Sequence, residues 1–306
     1  MRDIPVEKNL VDLYFRRVLY GFAILAFLLL GGMFVFLIDL GLPAFQEVGL
    51  LNLLGLEWNP PLKSFGILPF IYGTLVSSLL ALLLATPVSV AAALFLTEIA
   101  PARVGAIFGF LVEMLAAIPS VVYGLWGLFV VIPWLRTSVE PFLRGSLGFI
   151  PLFSGPIYGV GMLAAGMILS IMITPTITAI CKEVFRAVPR PLKEGVLALG
   201  STRSEMLWIG VVSSSRSGIL GAMILGLSRA LGETMAVTMV IGNTAEISLS
   251  LFAPHQTMAS AVASEVAEAT GTHLSALGVV GLVLLLISGC LFLFLRISLR
   301  KGGDSK

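Results

Sequence analysis

Residues 192–208 read LKEGVLALGSTRSEMLW, and residues 216–237 read RSGILGAMILGLSRALGETMAV. The second segment decides the fold. It is apolar over the ~20 residues that a helix needs to cross a bilayer. It nevertheless holds Arg229 and Glu233, and a charge at mid-membrane depth costs roughly 2.5 to 3.5 kcal/mol on the insertion scale. The first segment is its opposite, charged and amphipathic. Pro189 and Pro191 stop the preceding helix, 192–199 suits a short helix, Gly200 permits a turn, and Thr202-Arg203-Ser204-Glu205 has the form of a capping box opening another helix. A helix, a glycine turn and a helix are therefore predicted outside the bilayer. They present Leu192, Val196, Leu197 and Leu199 beside Met206, Leu207 and Ile209. Such a surface either docks a partner or packs back on the bundle ends and headgroups, and the pattern leaves both open.

Composition agrees with a membrane chain. Of 306 residues, 58% are hydrophobic and 12% charged, against about 25% charged in soluble domains, and the mean hydropathy is +1.03. The apolar runs are long and do not alternate, so the spans are helices, not barrel strands, and the class is all-α. Cys181 and Cys290 form no disulfide framework and no metal-ligand spacing, and read as small apolar fillers. The first apolar run follows basic residues as a signal peptide would. It is too long for such a peptide and no small-residue cleavage site follows it, so it reads as an uncleaved anchor.

Six spans are predicted, at about 18–40, 65–96, 104–132, 157–180, 216–242 and 274–295. The 65–96 run is one long tilted helix bent at Pro87; a hairpin turning at Thr86-Pro87 would reverse the sidedness of everything after it. The third span carries Glu113 and is interrupted at Ala117-Ile118-Pro119-Ser120, where a kink or break is expected because proline lacks a donor and frees a carbonyl. Residues 133–156, with Pro133, Pro141, Pro151 and Pro156, read as an outer loop with an interfacial turn. The fourth span ends in Thr174, Thr176 and Thr178 around Pro175, whose hydroxyls can serve the disturbed backbone. Residues 181–215 form the basic hairpin, and 243–273 an outer loop without Lys or Arg, in which His255 and His273 read as solvated.

Sidedness follows from counting. With the N-terminus inside, the inner segments hold Arg2, Lys8, Arg16, Arg17, Arg103, Lys182, Arg186, Arg190, Lys193, Arg203, Arg216, Arg296, Arg300, Lys301 and Lys306. The outer loops hold only Lys63, Arg136 and Arg144, and Arg229 stays in the membrane. Fifteen against three satisfies the positive-inside rule and places both termini in the cytosol.

In the fifth span Gly218, Ala222, Gly226 and Ala230 recur every four residues, a small-residue stripe that lets another helix approach closely. Arg229 and Glu233 share one helical face at that spacing and are expected to pair beside the stripe. Two readings follow, a structural ion pair or an anion site on a transport path, with Ser228 and Thr234 flanking it and Glu113 a weaker third member.

The spacing from Glu194 to Gly200 resembles the EAA loop of the permeases of bacterial ABC importers, although Gly195-Val196 stands where two alanines are frequent and Gly210-Val211-Val212-Ser213 where Ile-x-Leu-Pro is usual. Ser228–Val237 together with Ala116–Gly124 resembles the phosphate-specific importer permeases, of the C type rather than their A-type paralogue, and the likeness extends over most of the chain from Phe65. The resemblance implies a single permease domain with the type I importer fold in a bacterial plasma membrane. It implies a paralogous permease, two ATP-binding cassette ATPases and an external phosphate-binding protein as partners. It further implies that Arg229 and Glu233 handle phosphate and that Glu194, Gly195, Gly200, Thr202 and Glu205 couple to the ATPase.

No G-x-x-x-x-G-K-[ST] occurs, and no nucleophile and base pairing is legible, so ATP hydrolysis is expected of partners; no cofactor, metal or nucleic acid is called for. Two rival readings stand: an importer permease for another oxyanion, and a self-sufficient ion-coupled carrier using Glu113, Arg229 and Glu233 as a relay, for which inverted repeats would speak and none is evident.

Overall fold

A computed structural model describes residues 10–303, with side chains from 13 to 293. Arg2, Lys8 and Lys306, and the side chains of Arg296, Arg300 and Lys301, lie outside it. Helix α1 spans Leu10–Glu47 and a short α2 spans Leu50–Leu53. An antiparallel ribbon, β1 Trp58–Asn59 and β2 Ser64–Phe65, leads into α3, Leu68–Leu94. Helix α3 runs without a turn through Pro87 and ends in a π turn, Phe95–Ile99, so one long helix replaces the hairpin alternative. The rest of the chain folds as α4 Ala102–Ala116, α5 Ser120–Leu147, α6 Met162–Arg186, α7 Arg190–Ala198, α8 Arg203–Val212, α9 Arg216–Leu231, α10 Met235–Val240, α11 Met258–Glu265 and α12 Thr272–Gly303. Five of these helices (α1, α3, α5, α6 and α12) are long and apolar enough to cross a membrane, and α8 with α9, bent by 70°, makes a sixth if counted as one.

The centre of the bundle is α6, whose Ile168, Leu169, Met172, Ile173, Ile177 and Phe185 are fully enclosed. Its most extensive neighbour is α3, then α9. The small-residue stripe of α9 faces α6 as expected. A side-chain carbon on Gly218 would stand 2.4 Å from Val184, and one on Gly226 would stand 2.7 Å from Ile177, so glycine alone allows this approach. Around Pro175, Thr174 donates to Ser170 O at 2.7 Å and Thr178 to Thr174 O at 2.8 Å, while Ser89 reaches Thr174 O from α3 at 3.2 Å. Helix α1 packs chiefly on α12, where Leu40 covers Gly278 and Val279 covers Gly41.

Three expectations are corrected. Residues 133–156 are not a loop throughout, because α5 continues to Leu147. Pro133 and Pro141 each stand one residue beyond the cap of a π turn, Gly127–Val131 and Leu135–Val139, whose capping residues Ile132 and Glu140 donate to Gly127 O and Leu135 O. The wider turn accommodates a residue that has no donor to offer. Glu140 is buried and accepts the Gly159 N–H at 3.0 Å, tying the true loop back to the helix.

The fourth span also begins and ends later than expected, and Cys181, Lys182 and Phe185 are buried in α6 rather than exposed in the hairpin. Residues 243–273, finally, are not a solvated loop. His255 is fully buried, with Nδ1 against Ala253 O at 2.8 Å and its ring against Tyr72. His273 lies 2.9 Å from a Glu265 oxygen that also accepts the Trp58 indole N–H. A chain that folds over a bundle end must satisfy its polar groups internally, and these histidines do so.

Candidate functional site

Two helix breaks lie side by side in this bundle. The first separates α4 from α5 at Ala117-Ile118-Pro119, as the proline predicts. In an unbroken helix Leu115 O would accept from residue 119, which here is proline. The Tyr123 hydroxyl, one turn on, donates to that carbonyl at 2.8 Å instead. The second break, at Gly232-Glu233-Thr234 between α9 and α10, was not legible. The two meet at Gly124: a side-chain carbon there would stand 3.0 Å from Ala236 Cα and 2.7 Å from Met239 Sδ.

This second break corrects the expected ion pair. Helix α9 stops at Leu231, so Arg229 and Glu233 no longer share a helical face. Glu233 turns to its own backbone, and Oε1 accepts the Ala236 N–H at 3.2 Å, holding the first turn of α10. Arg229 is half-buried near the end of α9, and among the described residues it has no ion-pair partner. Ser228 donates to Ile224 O at 2.9 Å, and Thr234 to Gly232 O at 3.3 Å. Arg229, Ser228, Glu233 and Thr234 are thus gathered at one helix break, with the proline break of α4–α5 against it. Broken helices of this kind free backbone groups at membrane depth, which is tolerated where they line a path or are buried in protein.

Glu113 is not a third member of that cluster. Its carboxylate meets Lys182 Nζ at 2.6 Å, and the lysine side chain is only 8% exposed whereas the glutamate is 58% exposed. Gly109, one turn earlier on α4, leaves the room that the ammonium occupies. Lys182, counted by its sign with the cytosolic hairpin, is instead buried in α6.

The hairpin itself has the predicted local structure. Gly200 turns the chain at φ +85°, where a side chain would be strained. Thr202 and Glu205 form a reciprocal capping box at the start of α8. The Thr202 N–H and hydroxyl both donate to Glu205, at 2.7 and 2.9 Å, and hold its carboxyl below the usual range. Leu192, Leu197, Leu199 and Ile209 are exposed, joined by Trp208, while Met206 and Leu207 pack on the core. The larger part of the apolar surface is therefore turned outward. Glu194 and Gly195 lie on it, and nothing stands within 4 Å of a side chain added at Gly195 or Gly200.

A multi-pass helical bundle with two broken helices packed side by side, a half-buried arginine at one break and an exposed apolar hairpin is built as a membrane transport subunit. Residues 85–301 match the family described as binding-protein-dependent transport system inner membrane component, and the chain belongs to that family. It is 43% identical to the phosphate transport system permease protein PstC of Pasteurella multocida, over 97% of this chain and 96% of that protein. It is also 43% identical to PstC of Mesorhizobium japonicum, over 98% and 95%. The fold is shared with a chain of the inward-facing MetNI methionine ABC transporter, at a TM-score of 0.53 and 16% identity, over 77% of this chain and 94% of that one. The chain is thus a transport component of the membrane and not an enzyme.

Proposed function

We propose that this chain is the C-type permease of an ATP-driven phosphate importer in a bacterial plasma membrane. It would share its path with a paralogous permease, receive phosphate from an external binding protein, and draw its energy from two ATPase subunits seated on the 194–209 hairpin. Phosphate as cargo is supported by the PstC relatives over nearly the whole length. Arg229 carries the site-level reading: it is a half-buried guanidinium at a helix break, without a carboxylate partner among the described residues. Its planar fork can give a tetrahedral oxyanion two parallel hydrogen bonds. Glu233, satisfied by the backbone of α10, sets the shape of the break and supplies a negative charge that keeps the anion from being held too tightly. Both termini and the hairpin would face the cytosol, in keeping with the positive-inside count.

Transport then follows by alternating access. Closure of the ATPases moves the α7–α8 hairpin, and the broken helices re-pack to expose Arg229 inward. The rival carrier needs Glu113, Arg229 and Glu233 in one relay, whereas Glu113 is engaged by Lys182 and Glu233 by Ala236. Because Arg229 pairs with no carboxylate among the described residues, its single replacement is informative. In a reconstituted complex with both permeases and the ATPases, Arg229→Gln should assemble and bind ATPase normally yet fail to take up phosphate, with Arg229→Lys partly active. Near wild-type uptake by Arg229→Gln would remove Arg229 from the path. Uptake by this chain alone, without ATPase subunits, would favour the carrier.

A further inference from the structure

We propose that Lys193 and Glu98 form a strut that makes the docking hairpin and the foot of the long helix α3 move as one body, so that motion of the hairpin is delivered to the membrane helices through this pair. Lys193 sits on α7 and its Nζ meets Glu98 Oε1 at 2.5 Å. Glu98 belongs to the π turn Phe95–Ile99 that closes α3, a segment 95 residues away in sequence. Both side chains are largely withdrawn from solvent, 18% and 11% exposed, which separates this pair from the surface pair Arg186–Glu183 at 54% and 67%. Enclosure reduces screening, and a charge deprived of its partner there is costly, so the two ends stay together over a range of positions.

The surroundings make the link directional. Helix α7 is braced on the second arm of the hairpin, where Gly210 leaves room beside Val196 and the Lys193 backbone. On the far side, the π turn packs against α4 and α6, and α3 lies along α6 for most of its length. Pushing the hairpin therefore loads α3 and, through it, the central helix. The nine-residue α7 has no other ion pair to the bundle among the described residues.

The inference rests on the hairpin being the ATPase-coupling element, and the test separates the two. In proteoliposomes containing the whole complex, phosphate uptake per ATP hydrolysed is compared for wild type, the neutral pair Glu98→Gln with Lys193→Met, and the swapped pair Glu98→Lys with Lys193→Glu. The neutral pair should hydrolyse ATP yet lose about fivefold or more in uptake per ATP, the lower end of typical coupling energies, and the swapped pair should regain most of it. Wild-type uptake per ATP in the neutral pair, or no recovery in the swapped pair, would overturn the strut. Gly200→Asp in parallel should uncouple by itself. If it does not, the hairpin reading is what has failed. Should the neutral pair not assemble, spin labels on Ile99→Cys and Arg190→Cys, in a chain that lacks Cys181 and Cys290 but keeps Glu98 and Lys193, decide the matter: a distance unchanged between nucleotide-free and ATP-bound states supports the strut, and a change refutes it.

Discussion

Replacing Gly124 by alanine tests the side-by-side arrangement of the two helix breaks. The added methyl would sit 3.0 Å from Ala236 Cα and 2.7 Å from Met239 Sδ. The thioether can swing away, but the backbone at Ala236 can only retreat with α10, by a few tenths of an ångström. Overpacking of this kind costs about 1–3 kcal/mol, against about 1 kcal/mol gained from the better helix propensity of alanine. Net stability should thus fall by about 0–2 kcal/mol, too little to prevent assembly. The retreat is nevertheless delivered to Ala236, whose N–H is held by Glu233. If about 1.4 kcal/mol of strain falls on the transport-competent arrangement, uptake slows about tenfold. Gly221→Ala on α9 is the matched control, since nothing lies within 4 Å of a side chain there and only the propensity gain remains. Phosphate uptake and thermal unfolding of the two purified variant complexes are compared. Equal uptake and equal unfolding temperature in Gly124→Ala and Gly221→Ala would mean that α5 and α10 do not touch in the working transporter.

Tyr123→Phe removes the hydroxyl that serves Leu115 O and should cost about 0.5–1.5 kcal/mol, read as a lower unfolding temperature with the secondary-structure signal unchanged. Thr202→Ala loses the cap of α8, worth about 1 kcal/mol, and hydrogen exchange in α8 should quicken while exchange in α9 does not. The same box makes a pH prediction. Because the folded pKa of Glu205 is depressed, its contribution is present above the ordinary carboxylate pKa and fades as pH falls through the folded value, so α8 protection should be flat from neutral to weakly acidic pH and drop only in strong acid. Single cysteines at Ser201 and Thr270, in a background without Cys181 and Cys290, should label from opposite sides of the membrane; labelling from one side would overturn the proposed sidedness.

What was legible followed from rules that act locally. Proline at 119 favours a kink or break, glycine at 200 favours a turn, the capping residues at 202 and 205 announce α8, and a four-residue stripe of small side chains needs a partner helix. What was not legible depended on neighbours far along the chain. A four-residue spacing promised that Arg229 and Glu233 would pair, but Gly232 ends the helix between them, and a glycine followed by Glu-Thr at a turn was the available signal. Pro133 and Pro141 suggested a loop because proline usually ends a helix, yet π turns before them keep α5 intact. Lys182 looked cytosolic by its sign, and only Gly109 and Glu113 on α4 explain why it is buried.

Helix α1, whose most apolar stretch has no buried residue and whose main seam is with α12, has a consequence for how the chain is made. Its end and the start of α12 are joined by Glu47 and Thr272, 225 residues apart. At synthesis rates of about 5–20 residues per second, α1 leaves the ribosome roughly 11–45 s before α12 does. During that interval its lipid-facing surface is all it needs, and its glycine at 41 stays uncovered until Val279 arrives. A chain truncated before α12 would therefore leave the main seam of α1 uncovered, with Ala44 near its end still able to pack on Leu53, Phe65 and Phe70.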